Sequence, residues 1–311
     1  MHTFLKPFRQ AFTMLELIFV IIILGIVASI GSSVIVQVYE SYIMQKVVHN
    51  ASIKTELAIN QLANRLSNRI DMSMLARNPG TTGYTTPTDV YPIQNVPLAN
   101  INNMSLEWIG YDNDSFSATN PPVWSGFVDL NASNFNTVIT PGSTLTNLQT
   151  IRNNVAGGTA GTPAILFIGE DSYKNGVQYN PLCLYSANGC ISPMGTPAAN
   201  NAIPLTTAGN RVSGQMYYTE MYQLVSSAYA VITTPATAIN GIPVWDLHFK
   251  YNYQPWNGQN HTNGNDNILL RNVSVFRFKQ EENSLRIKLC VIEQLSQTTQ
   301  ISICKEKAVI R

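Results

Sequence analysis

The sequence predicts an α+β protein: a long N-terminal helix packed on a mainly antiparallel β-sheet head. Three observations predict it. Residues 9 to 78 contain no proline, and this stretch is apolar all round in its first half and one-sided in its second. Toward the C-terminus, several segments alternate apolar and polar residues with the period of half-buried strands. Between helix and strands lie Asn-, Thr-, Ser-, Gly- and Pro-rich stretches of low charge, the chemistry of turns and loops.

The helix comes first. Residues 11 to 36 form one apolar run that carries a single carboxylate, Glu16. From Leu17 to Tyr39 there is no Asp, Glu, Lys, Arg or His. Those 23 residues reach roughly 35 Å as a helix, enough to cross a bilayer core. Lys6 and Arg9 precede the run, whereas Glu40 and then Lys46 follow it. The basic flank keeps the N-terminus in the cytoplasm and carries the rest of the chain across. An ordinary secretory leader cut near Val27-Ala28-Ser29 is the alternative. Against it, the apolar run continues through Val38, and a leader core carries no carboxylate. Taken alone, Glu16 reads as a first-turn carboxylate favoured by the helix dipole. At the edge of a membrane span, however, a charge is costly enough to suggest a purpose.

The segment Ala11-Phe12-Thr13-Met14-Leu15-Glu16-Leu17 resembles the prepilin processing motif of type IV pilins and type II secretion pseudopilins. The resemblance implies a cut between Ala11 and Phe12 by prepilin peptidase, N-methylation of Phe12, and a role for Glu16 in assembly. In that family the carboxylate of one subunit meets the N-terminal amine of its neighbour. Gly25 also falls where many members carry a glycine. Two departures stand out: Ala11 occupies a position where glycine is usual, and no proline interrupts the span. The implied protein is a structural subunit and not an enzyme. It would be inserted in the bacterial inner membrane with a periplasmic head, then assembled into a type IV pilus or pseudopilus. Its implied partners are the peptidase, other pilins or pseudopilins met through the helix, and membrane lipid before assembly. The large head and the ending Ala308-Val309-Ile310-Arg311 are similar to minor pseudopilins of the J/W type. The chain then divides into a leader (1–11), a transmembrane half-helix (12–39), an amphipathic half-helix (40–77) and a β-rich head (78–311).

Beyond the span, Met44, Val48, Ala51, Thr55, Ala58, Leu62, Leu66, Ile70 and Met74 recur at three- and four-residue steps. This predicts one helix from about Phe12 to about Ala76, closed by Asn78-Pro79-Gly80, with its outer stripe serving as head core. The stretches 79–100, 131–163 and 193–214 read as loops. Strands are expected at 106–111, 164–168, 215–218, 229–233 and 244–253, then as a meander at 273–280, 285–292 and 300–310. In the most regular of these, Trp245, Leu247, Phe249 and Tyr251 alternate with Asp246, His248 and Lys250.

The cysteines Cys183, Cys190, Cys290 and Cys304 would all lie outside the cytoplasm, where disulfides persist. Four cysteines allow three pairings. A last hairpin centred on Gln297 places Cys290 opposite Cys304 and Lys288 opposite Glu306, two cross-strand pairs that favour one register. Cys183 and Cys190 would then close a short loop.

Other chemistry is sparse. Asp112-Asn113-Asp114-Ser115 and Asn265-Asp266-Asn267 carry oxygen ligands suited to calcium, but neither has the spacing of an EF-hand loop, and solvated turns are the preferred reading. No cofactor is expected. His2, His49, His248 and His261 do not cluster in sequence, so zinc has no support. The formal charge of +1 falls to −1 once Lys6 and Arg9 depart. Lys250, Arg271, Arg277, Lys279, Arg286 and Lys288 give the last strands a modest basic density, diluted by Glu281 and Glu282. Nucleic acid is therefore not indicated as a partner. Two rivals to the structural subunit remain in view: a fibre-tip adhesin or DNA-uptake pilin, and a membrane-anchored periplasmic protein of another function.

Overall fold

The N-terminal apolar run forms one helix, α1 (Met14–Leu66), in the computed structural model, which describes residues 13–97, 104–168, 181–187, 189–206, 211–212, 215–216, 219–296 and 299–310. The chain divides into two compact units, residues 1–50 and 51–311. In the first, Met14 to Asn50 is helical, and large apolar side chains from Met14 to Val38 are more than half exposed. Among the described residues this is the one helix long and apolar enough to cross a membrane, and none of the apolar window is buried. Such a sleeve of exposed Ile, Leu and Val is soluble only in lipid or against other apolar helices.

The second unit begins where the stripe starts to be covered. Ala51, Thr55, Ala58, Ile59, Leu62, Ala63 and Leu66 are buried, whereas Met44 and Val48 are exposed. The helix stops at Leu66, ten residues before the expected Ala76. Its end has a clear cause: the next residues are captured by a strand. Tyr111 donates its amide to the Asn68 carbonyl (3.0 Å), and Ile70 donates to the Ile109 carbonyl (2.9 Å). The buried Arg69 guanidinium donates to the Leu66 carbonyl at 3.0 Å and so satisfies one of the open acceptors of the last turn. Ile70 and Met74 are still core residues, but from an irregular segment and a 3₁₀ turn at Asp71–Ser73. Asn78-Pro79-Gly80 therefore closes a strand, not the helix.

That strand is β1 (Leu75–Arg77). It is followed by β2 (Val90–Pro92), β3 (Ser105–Tyr111), the short helix α2 (Asn113–Phe116), β4 (Thr137–Ile139) and α3 (Leu148–Ala156). Next come β5 (Ala164–Phe167), β6 (Ser192–Pro193), β7 (Ala202–Pro204), β8 (Arg211–Val212) and β9 (Gln215–Met216). The long strands close the chain: β10 (Tyr222–Ile239), β11 (Ile242–Tyr253), β12 (Asn265–Glu281), β13 (Ser284–Gln294) and β14 (Gln300–Ile310). The main sheet runs β14-β13-β12-β11-β10-β3-β1-β2, antiparallel at every joint, with β5 and β6 continuing it beside β10.

The strands expected at 106–111, 164–168 and in the C-terminal meander all occur. Of 215–218, residues 217 and 218 lie outside the described residues. The segment at 229–233 proves to be the middle of the 18-residue β10. Its turn into β11 is Asn240-Gly241, both with positive φ (48° and 79°), the two-residue reversal that matches strand twist. Pro235 is tolerated because β10 pairs with β3 only as far as Val231, which leaves that side of the strand unpaired. The expected loops at 79–100, 131–163 and 193–214 hold β2, β4, α3, β7 and β8, all short elements. Of these, α3 ends on Gly157 in the left-handed conformation (φ 67°).

Three clusters form the head core. The largest joins α1 residues such as Ile59, Leu62 and Leu66 to Trp108, Leu247 and Phe276 on the sheet. A second gathers Ile70, Ile109, Leu184, Tyr253 and Trp256, and a third gathers Trp124, Leu148, Phe167 and Tyr222.

Leu62 is 1% exposed at the centre of the first cluster, whereas Leu57 on the same helix is 63% exposed. Leu62→Ala should cost about 2–5 kcal/mol of head stability. Leu57→Ala should stay within about 0.5 kcal/mol. Urea denaturation followed by near-ultraviolet circular dichroism measures both.

Candidate functional sites

The helix start is built by local chemistry. Thr13 and Glu16 form a reciprocal cap: the Thr13 amide donates to Glu16 Oε2 (3.0 Å), and the Glu16 amide donates to Thr13 Oγ1 (3.4 Å). The Thr13 hydroxyl adds a further bond to Glu16 Oε2 at 3.1 Å. This is a capping box, Thr-x-x-Glu, which satisfies two open donors of the first turn. In the single chain, then, Glu16 is a first-turn carboxylate with partners of its own. Ala11 and Phe12 lie outside the described residues.

Both disulfides follow the local pairing. Cys290–Cys304 joins directly opposed residues of β13 and β14, with Cα atoms 4.0 Å apart, and the same register sets Lys288 against Glu306. Cys183–Cys190 closes the short loop, where the Cys190 amide also bonds the Cys183 carbonyl at 2.9 Å. Gly189 is needed there, because a Cβ would collide with the Cys183 carbonyl oxygen.

The calcium candidates are committed elsewhere. Asp112 is buried, which corrects its reading as part of a solvated turn. It caps α2 by accepting the Ser115 amide (3.0 Å) and faces Arg152 at 3.4 Å. Burial pushes its carboxyl above the ordinary range, against the pull of Ser115 and Arg152. Asp114 pairs with Arg65 at 3.3 Å, and Asp266 with Lys250 at 2.8 Å and His248 at 2.9 Å. Partial burial acts to raise the Asp266 pKa, but Lys250 and His248 hold it below the usual value. No cluster of three or more His, Cys, Asp or Glu able to hold a metal occurs among the described residues. The basic density of the last strands is likewise met in place: Lys250 by Asp266, Arg271 by Asp246, and both Lys279 and Arg286 by Glu281.

Sequence reasoning missed the polar interior. Glu107 of β3 is 0% exposed and accepts Arg77 Nε (2.8 Å), Tyr84 hydroxyl (2.8 Å) and Tyr253 hydroxyl (2.7 Å). Arg77, 1% exposed, spends its remaining donors on the Gly83 and Thr81 carbonyls and lies 4.8 Å from the Tyr84 ring centre. Burial, and then the Glu107 charge, drives both phenols well above their ordinary pKa. The network is satisfied and closed, so it braces β1, β3 and β11 and offers no approach to a substrate. One signal was present: a lone carboxylate in Leu106-Glu107-Trp108-Ile109, a strand buried on both faces.

A scan against protein-family models, a search of curated proteins and a search of solved structures each return no match.

Two predictions follow from this interior. Glu107→Leu leaves Arg77 charged and unpaired in the core and should cost about 3–5 kcal/mol by the same denaturation assay. His261, buried with no partner for Nδ1 among the described residues, has its pKa lowered by burial; Glu107 acts to raise it, while Arg77 and Lys250 add to the lowering. The folded head therefore holds this imidazole neutral. Its stability should be complete above the ordinary histidine pKa of about 6.5 and fall as pH drops below it, because the unfolded chain protonates first. Comparing the slope of stability between about pH 7 and pH 5 with that of His261→Asn checks this.

Proposed function

We propose that this chain is a pilin-like structural subunit, of the minor pseudopilin kind. It is cut between Ala11 and Phe12, methylated on Phe12, and assembled through α1 into a type IV pilus or type II secretion pseudopilus. The observation that carries the reading is a conjunction at one point of the chain. The motif Ala11–Leu17 and its single carboxylate, Glu16, stand at the start of a helix that is apolar and exposed on every side through Val38. An uncut membrane anchor needs the apolar residues but not the carboxylate, which is costly in lipid.

The head supports the same reading. Its sheet is built on the outer part of the same helix, and two disulfides suit a fold that matures outside the cytoplasm. The DNA-uptake alternative draws no support from the last strands, where four of the six basic side chains are spent on neighbouring carboxylates. Once residues 1–11 are removed, Lys6 and Arg9 go with them, and the basic anchor of the cytoplasmic end is reduced to one new ammonium.

Co-expression with an active prepilin peptidase, followed by mass spectrometry of the N-terminal peptide, should find Phe12 first and carrying one added methyl group. A mature chain that begins at Met1, or downstream of Ser29, would overturn the reading. Glu16→Ala should leave insertion and cutting intact while fibre incorporation falls. Incorporation at the level of the unaltered chain would remove the role assigned to the carboxylate.

A further inference from the structure

A cleft of about 230 Å³ opens in the head beside the sheet. Its aromatic lining is Tyr229 of β10 with Phe249 and Tyr251 of β11. These rings continue a ladder that starts at the buried Trp108. Centroid separations are 5.7 Å for Trp108–Tyr229, 5.9 Å for Tyr229–Phe249 and 5.9 Å for Phe249–Tyr251, with interplanar angles of 26°, 14° and 20°. Gly110 permits this arrangement, since a Cβ there would come within 2.8 Å of the Tyr229 ring. The rest of the wall comes mostly from the end of α1, from α2 and from α3, with Ser226 and Ser227 of β10, Asn252 of β11 and Asn267 of β12 completing it.

Several polar groups of this wall are unspent. The Tyr229 hydroxyl and the Gln61 amide have no hydrogen-bond partner among the described residues. Asn267 gives one amide hydrogen to the Tyr251 hydroxyl at 3.3 Å, and its carbonyl oxygen has no partner among the described residues. Arg65 and Asp114 touch at 3.3 Å while 44% and 49% exposed, so each retains bonding capacity. The charges of the wall cancel: Arg65 and Arg152 against Asp112 and Asp114.

These features select a ligand class. An anion would meet Asp112 and Asp114, and a cation would meet Arg65 and Arg152, so a neutral ligand is favoured. A purely apolar ligand would desolvate Gln61 and the Tyr229 hydroxyl without replacing their water, at about 1–3 kcal/mol each. The volume lies below the roughly 300–1,000 Å³ of pockets for drug-sized ligands, so the occupant is a single ring. We infer that the cleft binds one neutral hexopyranose unit, with its C–H surface against the aromatic residues and its hydroxyls bonded to Tyr229, Gln61, Asn267 and the Arg65–Asp114 pair. The site lies wholly in residues 51–311, and this inference is independent of the assembly reading.

The full chain, in a detergent without a sugar headgroup, can be titrated with D-glucose, D-galactose and their methyl β-glycosides by isothermal calorimetry. Saturable binding of at least one sugar is expected. A methyl glycoside that binds as well as its free sugar assigns the site to the terminal unit of a glycan; one that fails assigns it to free monosaccharide. Tyr229→Phe keeps the ring and should weaken binding about 2- to 10-fold, as should Gln61→Ala, with far-ultraviolet circular dichroism and the urea midpoint unchanged in both. Absence of saturation by all four sugars up to about 100 mM, well beyond useful affinity, would overturn the inference. So would unchanged affinity in a chain carrying both Tyr229→Phe and Gln61→Ala, or saturable binding of sodium phosphate or glycine in place of the sugars.

Discussion

The head depends on one contact: the face of α1 from Ala51 to Leu66 laid against the sheet. Leu62 and Leu66 supply bulk, while Ala51, Ala58 and Ala63 keep the helix near the strands. Thr55 would be an anomaly in that face, but its hydroxyl donates to the Ala51 carbonyl at 2.7 Å and is left with no unmet donor. At the flank, Lys305 pairs with Glu56 at 3.2 Å and Lys307 donates to Asn60 at 2.6 Å. The last strand is thereby fastened to the same helix that opens the unit, so residues far apart in sequence share one core.

Where the chemistry was local, it could be read in advance. The register of β13 on β14 follows from two cross-strand pairs counted outward from one turn, and both pairs are where counting puts them. Thr13 and Glu16 are three residues apart, the spacing of a capping box, although the sequence reading used only the carboxylate. Asn240-Gly241 is an equally plain turn signal, and it marks the end of the strand through 229–233, which runs on to Ile239.

Where partners come from far along the chain, reading failed. Helical periodicity continues from Leu62 through Met74, yet α1 ends at Leu66 because β3, some forty residues later, claims the backbone of residues 68 to 70. Asp112 lies in a run of polar residues that looks solvated, and only the packing of α3, which brings Arg152, makes it interior. Glu107 needs Arg77, Tyr84 and Tyr253 from three other segments before its burial is affordable. Periodicity reports which face of an element is covered, but not which distant group covers it.

Glu16 has a local role in the single chain, and the proposed assembly role would fall on the same side chain. In the single chain its carboxylate closes the first turn through Thr13, and a cap of this kind is worth about 0.5–2 kcal/mol. In the proposed fibre the same oxygens would meet the amine of a neighbouring Phe12. In water such a pair gains about 1 kcal/mol at 4 Å, no more than the cap it replaces; at an effective dielectric of 20 the figure is about 4 kcal/mol. In the proposed fibre the exchange would be unfavourable or neutral while the helix end is wet, and would become favourable only where neighbouring helices exclude water and the geometry of the pair offsets its desolvation. In the proposed fibre that condition would make the carboxylate a register device: an out-of-step neighbour would leave the end hydrated, and the cap with Thr13 would be kept.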